Sequence, residues 1–306
     1  MAESVRRFAH QENESGLPAT LAREVVHLRH LASQADVRSP AHAEVLNHVL
    51  ALHLHEMGQY WEAGRRLEHV LALMEERLGQ QHPDIATVLS NLGQTLVETG
   101  DLERARNYAQ RSLSIVAVAY GPGHPECATK LGTLGTILHA MGDLQGALVA
   151  SQRALDIVKA TLGPEDPSVA RHLNNIGMAL KDMGDLAEAR GPLQEALALC
   201  QRLFGPDHPY VAAALNNLGG LLDAMGDQRT ALQHYEEAHS IWERQLGPCH
   251  PRLGTSHNNI GMALKAVGDL AAARRHLEAS LSILRKARGD EHPLTQTTRA
   301  NLEGLN

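Results

Sequence analysis

At 306 residues, with a net charge of −7 and aromatics at only 3%, the chain suits helices packed through small and aliphatic side chains. It lacks the clustered basic face that a nucleic-acid backbone requires. Three cysteines, Cys127, Cys200 and Cys249, are an odd number without CxxC spacing, which argues against a disulfide framework or zinc knuckle and for a reducing, cytoplasmic setting. Residues 1–16 carry no apolar signal core, and no stretch approaches the roughly 18 apolar residues of a membrane span. The expectation is a cytoplasmic chain with no membrane insertion and no nucleic-acid partner.

Residues 1–40 open with a polar stretch. Leu21, Val25, Leu28 and Leu31 then share one helical face and predict a helix over Leu17–Ala35 that caps the first unit of an array. The array announces itself through single residues. Pro83, Pro125, Pro167, Pro209, Pro251 and Pro293 each follow the last by 42 positions. Gly58, Gly100, Gly142, Gly184, Gly226 and Gly268 keep the same step, as do Gly79, Gly121, Gly163, Gly205, Gly247 and Gly289. A fixed period of this length marks a stack of supersecondary units. Six units are expected at 41–82, 83–124, 125–166, 167–208, 209–250 and 251–292, with 293–306 as a C-terminal capping helix.

Each unit divides into two helices. The residue before the proline is His82, His124, Asp166, His208, His250 or His292. With Asp at one of them the position predicts an N-cap, and Pro fits the first helical position because its missing N–H has no partner there anyway. Leu89, Leu92 and Leu96 form the amphipathic stripe of the first helix. Gly100 ends it in a left-handed turn, Asp101 caps the second helix, and Gly121-Pro122 stops that one. Asp185 with Glu188 predicts a capping box. Pro192, inside a second helix, predicts a kink.

Two columns of small residues predict how the helices meet. Gly93, Gly135, Gly177, Gly219 and Gly261 sit in mid-helix, where each costs about 1 kcal/mol relative to Ala. Such repetition makes sense if a neighbouring helix crosses close to the backbone, and the partner column is Ala63, Ala105, Ala147, Ala189, Ala231 and Ala273.

The pattern Leu-x-x-Leu-Gly-x-x-Leu, then Gly-Asp, then Ala-x-x-x-(Leu/Tyr)-x-x-Ala, resembles the tetratricopeptide repeat. The Leu-Gly-Pro-Asp-His-Pro turn and the 42-residue unit resemble the variant found in kinesin light chains and many bacterial repeat proteins, over about Ala41–Leu302. The resemblance implies an all-α, right-handed superhelical solenoid with the first helices on the concave side. The chain departs from the family in carrying Leu89, Leu131, Leu173 and Leu215, but His257 in the last unit, where an aromatic is frequent. The first unit has Ala41 and Gln59 in place of Pro and Asp.

A second stripe on the first helices is polar. It contains Asn91, then Asn174 with Asn175, Asn216 with Asn217, and Asn258 with Asn259, flanked by Arg171, Lys181 and Lys265. In the family, related asparagine ladders bind extended peptide backbones. An amide both donates and accepts, so a row of amides suits an extended segment without reading its side chains. The competing role is to bond across to neighbouring helices. Asn175, Asn217 and Asn259 are assigned first to ligand contact and Asn174, Asn216 and Asn258 first to the stack. Arg171, Lys181 and Lys265 are candidates for a ligand carboxylate, against local pairing such as Lys181 with Asp185.

The 19 histidines raise a metal hypothesis, densest at His27, His30, His42, His48, His53, His55 and His69. No HExxH accompanies them, and a site needs three or four converging ligands. GxxxxGK[ST], GxSxG and GxGxxG are absent, so no cofactor and no enzyme are expected. The function expected is a scaffold or adaptor that takes a peptide segment of a partner protein in its groove. The alternatives are a regulatory module for a separate signalling or defence effector and, behind that, a metal-dependent enzyme using the N-terminal histidines. The sequence leaves the oligomeric state open.

Overall fold

In the computed structural model the described residues are 28–32, 40–246 and 250–305, and their regular structure is entirely helical. The chain divides into two compact units, Met1–Met141 and Gly142–Asn306. The first contains α1 (Pro40–Glu56), α2 (Tyr60–Leu78), α3 (Ile85–Thr99), α4 (Leu102–Tyr120) and α5 (Pro125–Ala140). The second contains α6 (Leu144–Thr161), α7 (Pro167–Met183), α8 (Leu186–Phe204), α9 (Pro209–Ala224), α10 (Gln228–Leu246), α11 (Pro251–Val267), α12 (Leu270–Arg288) and α13 (Pro293–Glu303).

The punctuation acts as the sequence predicts. Gly184 takes φ 92° in a left-handed turn and its N–H reaches the carbonyls of Leu180 and Lys181. The histidines before proline are N-caps: Nδ1 of His124 accepts from the Glu126 N–H at 3.2 Å, and His250 accepts from Arg252 at 3.1 Å. Asp166 does the same for Ser168 at 2.9 Å. Each bond satisfies one orphan donor of the first turn. Pro83 differs. It lies in a turn and α3 starts at Ile85, although His82 still accepts from the Asp84 N–H at 3.3 Å. The Asp before a second helix also divides. Asp143 and Asp269 cap at 2.9 Å, whereas Asp101 and Asp185 make no side-chain cap bond, so the expected capping box at Asp185 and Glu188 does not form. α8 is one helix with Pro192 inside it.

The glycine and alanine columns meet. A Cβ at Gly93 would lie 3.2 Å from the Ala105 carbonyl oxygen; at Gly219 and Gly261 the oxygens of Ala231 and Ala273 stand at 3.3 and 3.2 Å. Those alanines are fully buried. In the first compact unit α1 packs along α2 and α3 along α4, with α2 on α3 and α4 on α5; in the second α6 packs on α7, α7 packs along α8, α9 along α10 and α11 along α12, each of these second helices lying on the following first helix. Neighbouring first helices also touch directly, α7 with α9, α9 with α11 and α11 with α13, while consecutive second helices stand farther apart. The first helices are therefore the more crowded layer.

The ends are closed from both sides. Leu28 and Ala32, helical and buried, pack with Val49, Leu50, Leu54 and Ala63; Leu21 and Val25 lie outside the described residues. At the other end Thr295 and Thr298 of α13 are buried.

Candidate functional site

The polar stripe of the first helices forms a ladder whose rungs join residues 43 positions apart. Asn217 Nδ2 donates to Asn174 Oδ1 at 3.5 Å, Asn259 to Asn216 at 3.0 Å, and Asn301 to Asn258 at 2.9 Å. In the first unit the same register joins Asn91 to His48 Nε2 at 2.9 Å and Thr133 to Ser90 at 3.1 Å. Direct contact between first helices makes this possible, because short side chains can span the gap. Both asparagine columns thus take part in the stack. The side chains stay only part-buried, and each rung uses one of the four hydrogen-bonding positions an amide offers. His48, a rung partner in the first unit, and Asn301, one in the second, lie outside the paired-asparagine pattern. A search for compatible polar residues 43 apart finds them.

The flanking charges are arranged differently from the sequence expectation. Lys181 Nζ pairs with the adjacent Asp182 at 3.0 Å, not with Asp185. Burial raises the pKa of Asp223 on α9, an effect that the nearby Lys181 charge opposes. A Cβ at Gly220 would stand 3.5 Å from the hydroxyl of Tyr235 and 3.7 Å from Lys181 Nζ; burial raises the pKa of Tyr235. Arg171 is exposed, and desolvation lowers the pKa of its guanidinium. Lys265 Nζ donates to the Gly304 carbonyl at 3.0 Å, closing α13.

The histidines of the first unit are separately engaged. His53 is buried with Nδ1 on the Val49 carbonyl at 2.9 Å, and His55 Nδ1 meets Thr95 Oγ1 at 3.2 Å. Among the described residues no three His, Cys, Asp or Glu side chains converge as a metal ion requires; His27 lies outside them. Cys127 and Cys200 are buried thiols, and burial pushes the Cys200 thiol up to about 11. Cys200 should therefore stay unlabelled by an aromatic disulfide reagent at pH 8 in the folded chain and react once urea unfolds it. Rapid labelling of the native chain at Cys200 would contradict the packing. No helix among the described residues is long and apolar enough to cross a membrane.

Comparison with known proteins adds to this geometry. The family model described as "Tetratricopeptide repeat" matches residues 42–117, 98–160, 126–199, 168–244, 229–286 and 252–304. Among solved structures, BtubC (BKLC) from P. vanneervenii is 23% identical with TM-score 0.52, covering 89% of this chain and 94% of its own. A putative kinesin light chain of nearly identical TPR-like repeats from Podosopora anserina is 23% identical with TM-score 0.50, covering 68% of this chain and 98% of its own. A Rap protein complexed with Competence and Sporulation Factor is 15% identical with TM-score 0.63, covering 91% of this chain and 78% of its own. No curated protein matches the chain significantly.

Proposed function

We propose, because the chain belongs to the tetratricopeptide repeat family, that it is a non-enzymatic, cytoplasmic interaction scaffold taking an extended peptide segment of a partner protein along its first helices. The observation that carries this reading is the amide ladder. Asn174, Asn216, Asn217, Asn258 and Asn259 recur in one register on one helical layer, part-buried, with hydrogen-bonding capacity beyond their rungs. An extended backbone presents unpaired N–H and C=O groups, and a row of fixed amides pairs with them irrespective of side chain. Arg171, exposed on α7 of the second unit, offers a fork for a carboxylate on the same segment. Asn175 belongs to the same row, with Lys181 and Lys265 along its edge, and Asn91 holds the equivalent repeat position in the first unit, taken by itself.

The test uses fluorescent peptides selected on the purified full chain from a random display library. Asn216→Ala with Asn217→Ala should weaken the best peptide about tenfold, an amount set by two lost hydrogen bonds of ~0.5–1.5 kcal/mol each. Arg171→Ala should weaken peptides ending in a carboxylate more than their amidated forms. Undiminished affinity in the asparagine pair, with folding retained, would remove the ladder from the binding face.

A further inference from the structure

We infer that His239, His257 and His276 form an acid-sensitive clasp holding the last helix pair, α11 and α12, to α10. The three rings come from three helices and touch in sequence. His239 and His257 have centroids 4.4 Å apart, and His257 and His276 have centroids 5.0 Å apart. His257 Nδ1 and His276 Nδ1 are 3.0 Å apart, so one must be an N–H donor and the other a bare acceptor. His239 Nδ1 meets the buried Ser256 hydroxyl at 3.2 Å. A doubly protonated pair would bring two N–H donors and two positive charges face to face, and the contact cannot survive that.

The repeat register shows that these are substitutions into an apolar seam. His257 occupies the column of Leu89, Leu131, Leu173 and Leu215; His239 occupies the column of Leu71, Leu113, Leu155, Leu197 and Leu281. His239 is the one departure among its six positions, the column of His257 departs also at Asn47 in the first repeat, and the breaks at His239 and His257 meet in space. Burial and the mutual repulsion of the rings lower the pKa of His257 to about 4, and burial lowers those of His239 and His276. The charged groups acting on the cluster are Glu243 on α10, which favours the charged form of His239, and Arg275 on α12, which disfavours that of His276; α11 contributes His257 itself and the neutral Ser256.

The direction follows from linkage. A histidine whose folded pKa is lowered leaves the unfolded chain binding more protons. The stabilisation is complete above the unfolded value of about 6.5 and disappears as pH falls towards the folded one. Loosening α11 would also undo the Asn259–Asn216 rung and remove the support for α13. The inference stands apart from what the groove binds.

The test is hydrogen–deuterium exchange of the full chain at pH 7 and pH 5, with times scaled for the intrinsic rate. Amides of Pro251–Arg288 should lose protection by about twentyfold, as one proton taken up over this range allows, and by several times more than those of α3. His239→Leu with His257→Leu, restoring the residues of the other repeats, should abolish that selective loss. If this variant fails to fold, His276→Ala, the residue at the equivalent Ala150, gives the same readout. His172, buried on α7 with its pKa lowered to about 4 by burial, titrates elsewhere, and the local readout separates it. Equal loss in all helices, a selective loss that persists in the leucine variant, or protection governed by added zinc at constant pH would overturn the clasp.

Discussion

Gly261→Val is expected to destabilise the last helix pair by about 3 kcal/mol, at the upper end of what overpacking costs. A Cβ at this position would lie 2.8 Å from Leu277 Cγ and 3.2 Å from the Ala273 carbonyl oxygen. The leucine can shift, but the carbonyl belongs to the α12 backbone and moves only if the helix does. Intrinsic propensity points the other way, since valine is slightly the better helix former; a loss of stability therefore reports the crossing alone. Gly64→Ala is the contrast. Gly64 lies inside α2, where a Cβ would meet Thr95 Cγ2 at 3.7 Å, an ordinary van der Waals contact, and alanine there should stabilise by about 0.5–1 kcal/mol. Urea unfolding of both variants checks the pair. A Gly261→Val protein as stable as the parent would remove the close crossing as the reason for the glycine column.

The second large effect is at the first helix pair, where Arg77→Ala should cost about 2 kcal/mol and Glu44→Ala less than about 1. Glu44 is only 6% exposed and receives two bonds from Arg77, at 2.9 Å from Nε and 2.6 Å from Nη2. Removing the arginine strands a buried carboxylate, the expensive half of breaking such a pair; solvent around Arg77, itself about half exposed, holds the loss to this size. Removing the glutamate instead restores what the repeat already carries, since Ala86, Ala128, Ala170 and Ala212 hold the equivalent positions. Thermal unfolding of the two single variants decides it. Equal losses from both would mean that Glu44 contributes packing rather than an obligatory charge.

Much of the fold is legible in the sequence because it is local. A proline after a capping side chain, a glycine that must turn left-handed and a stripe at helical spacing each act within a few residues, and repetition at a constant step averages out their individual weakness. The close crossing is legible too, since glycine in mid-helix demands an explanation. The failures are instructive for the same reason. Asp185 and Glu188 have the spacing of a capping box, yet the aspartate makes no cap bond, and Lys181 pairs with Asp182 rather than with Asp185. Spacing permits such contacts; side-chain placement in the packed unit selects among them.

The candidate site divides along that line. The sequence by itself determined that amides recur on one face of the first helices and that histidine interrupts a leucine column at His257. Only the tertiary structure decided that Asn259 reaches Asn216, that His48 pairs with Asn91 and Asn301 with Asn258, and that His239 and His276 gather around His257. Periodicity specifies which face of a helix a residue occupies, but the partner across a helix–helix gap depends on how closely and at what offset two helices settle. That offset is a property of the whole packed layer rather than of any short stretch of chain.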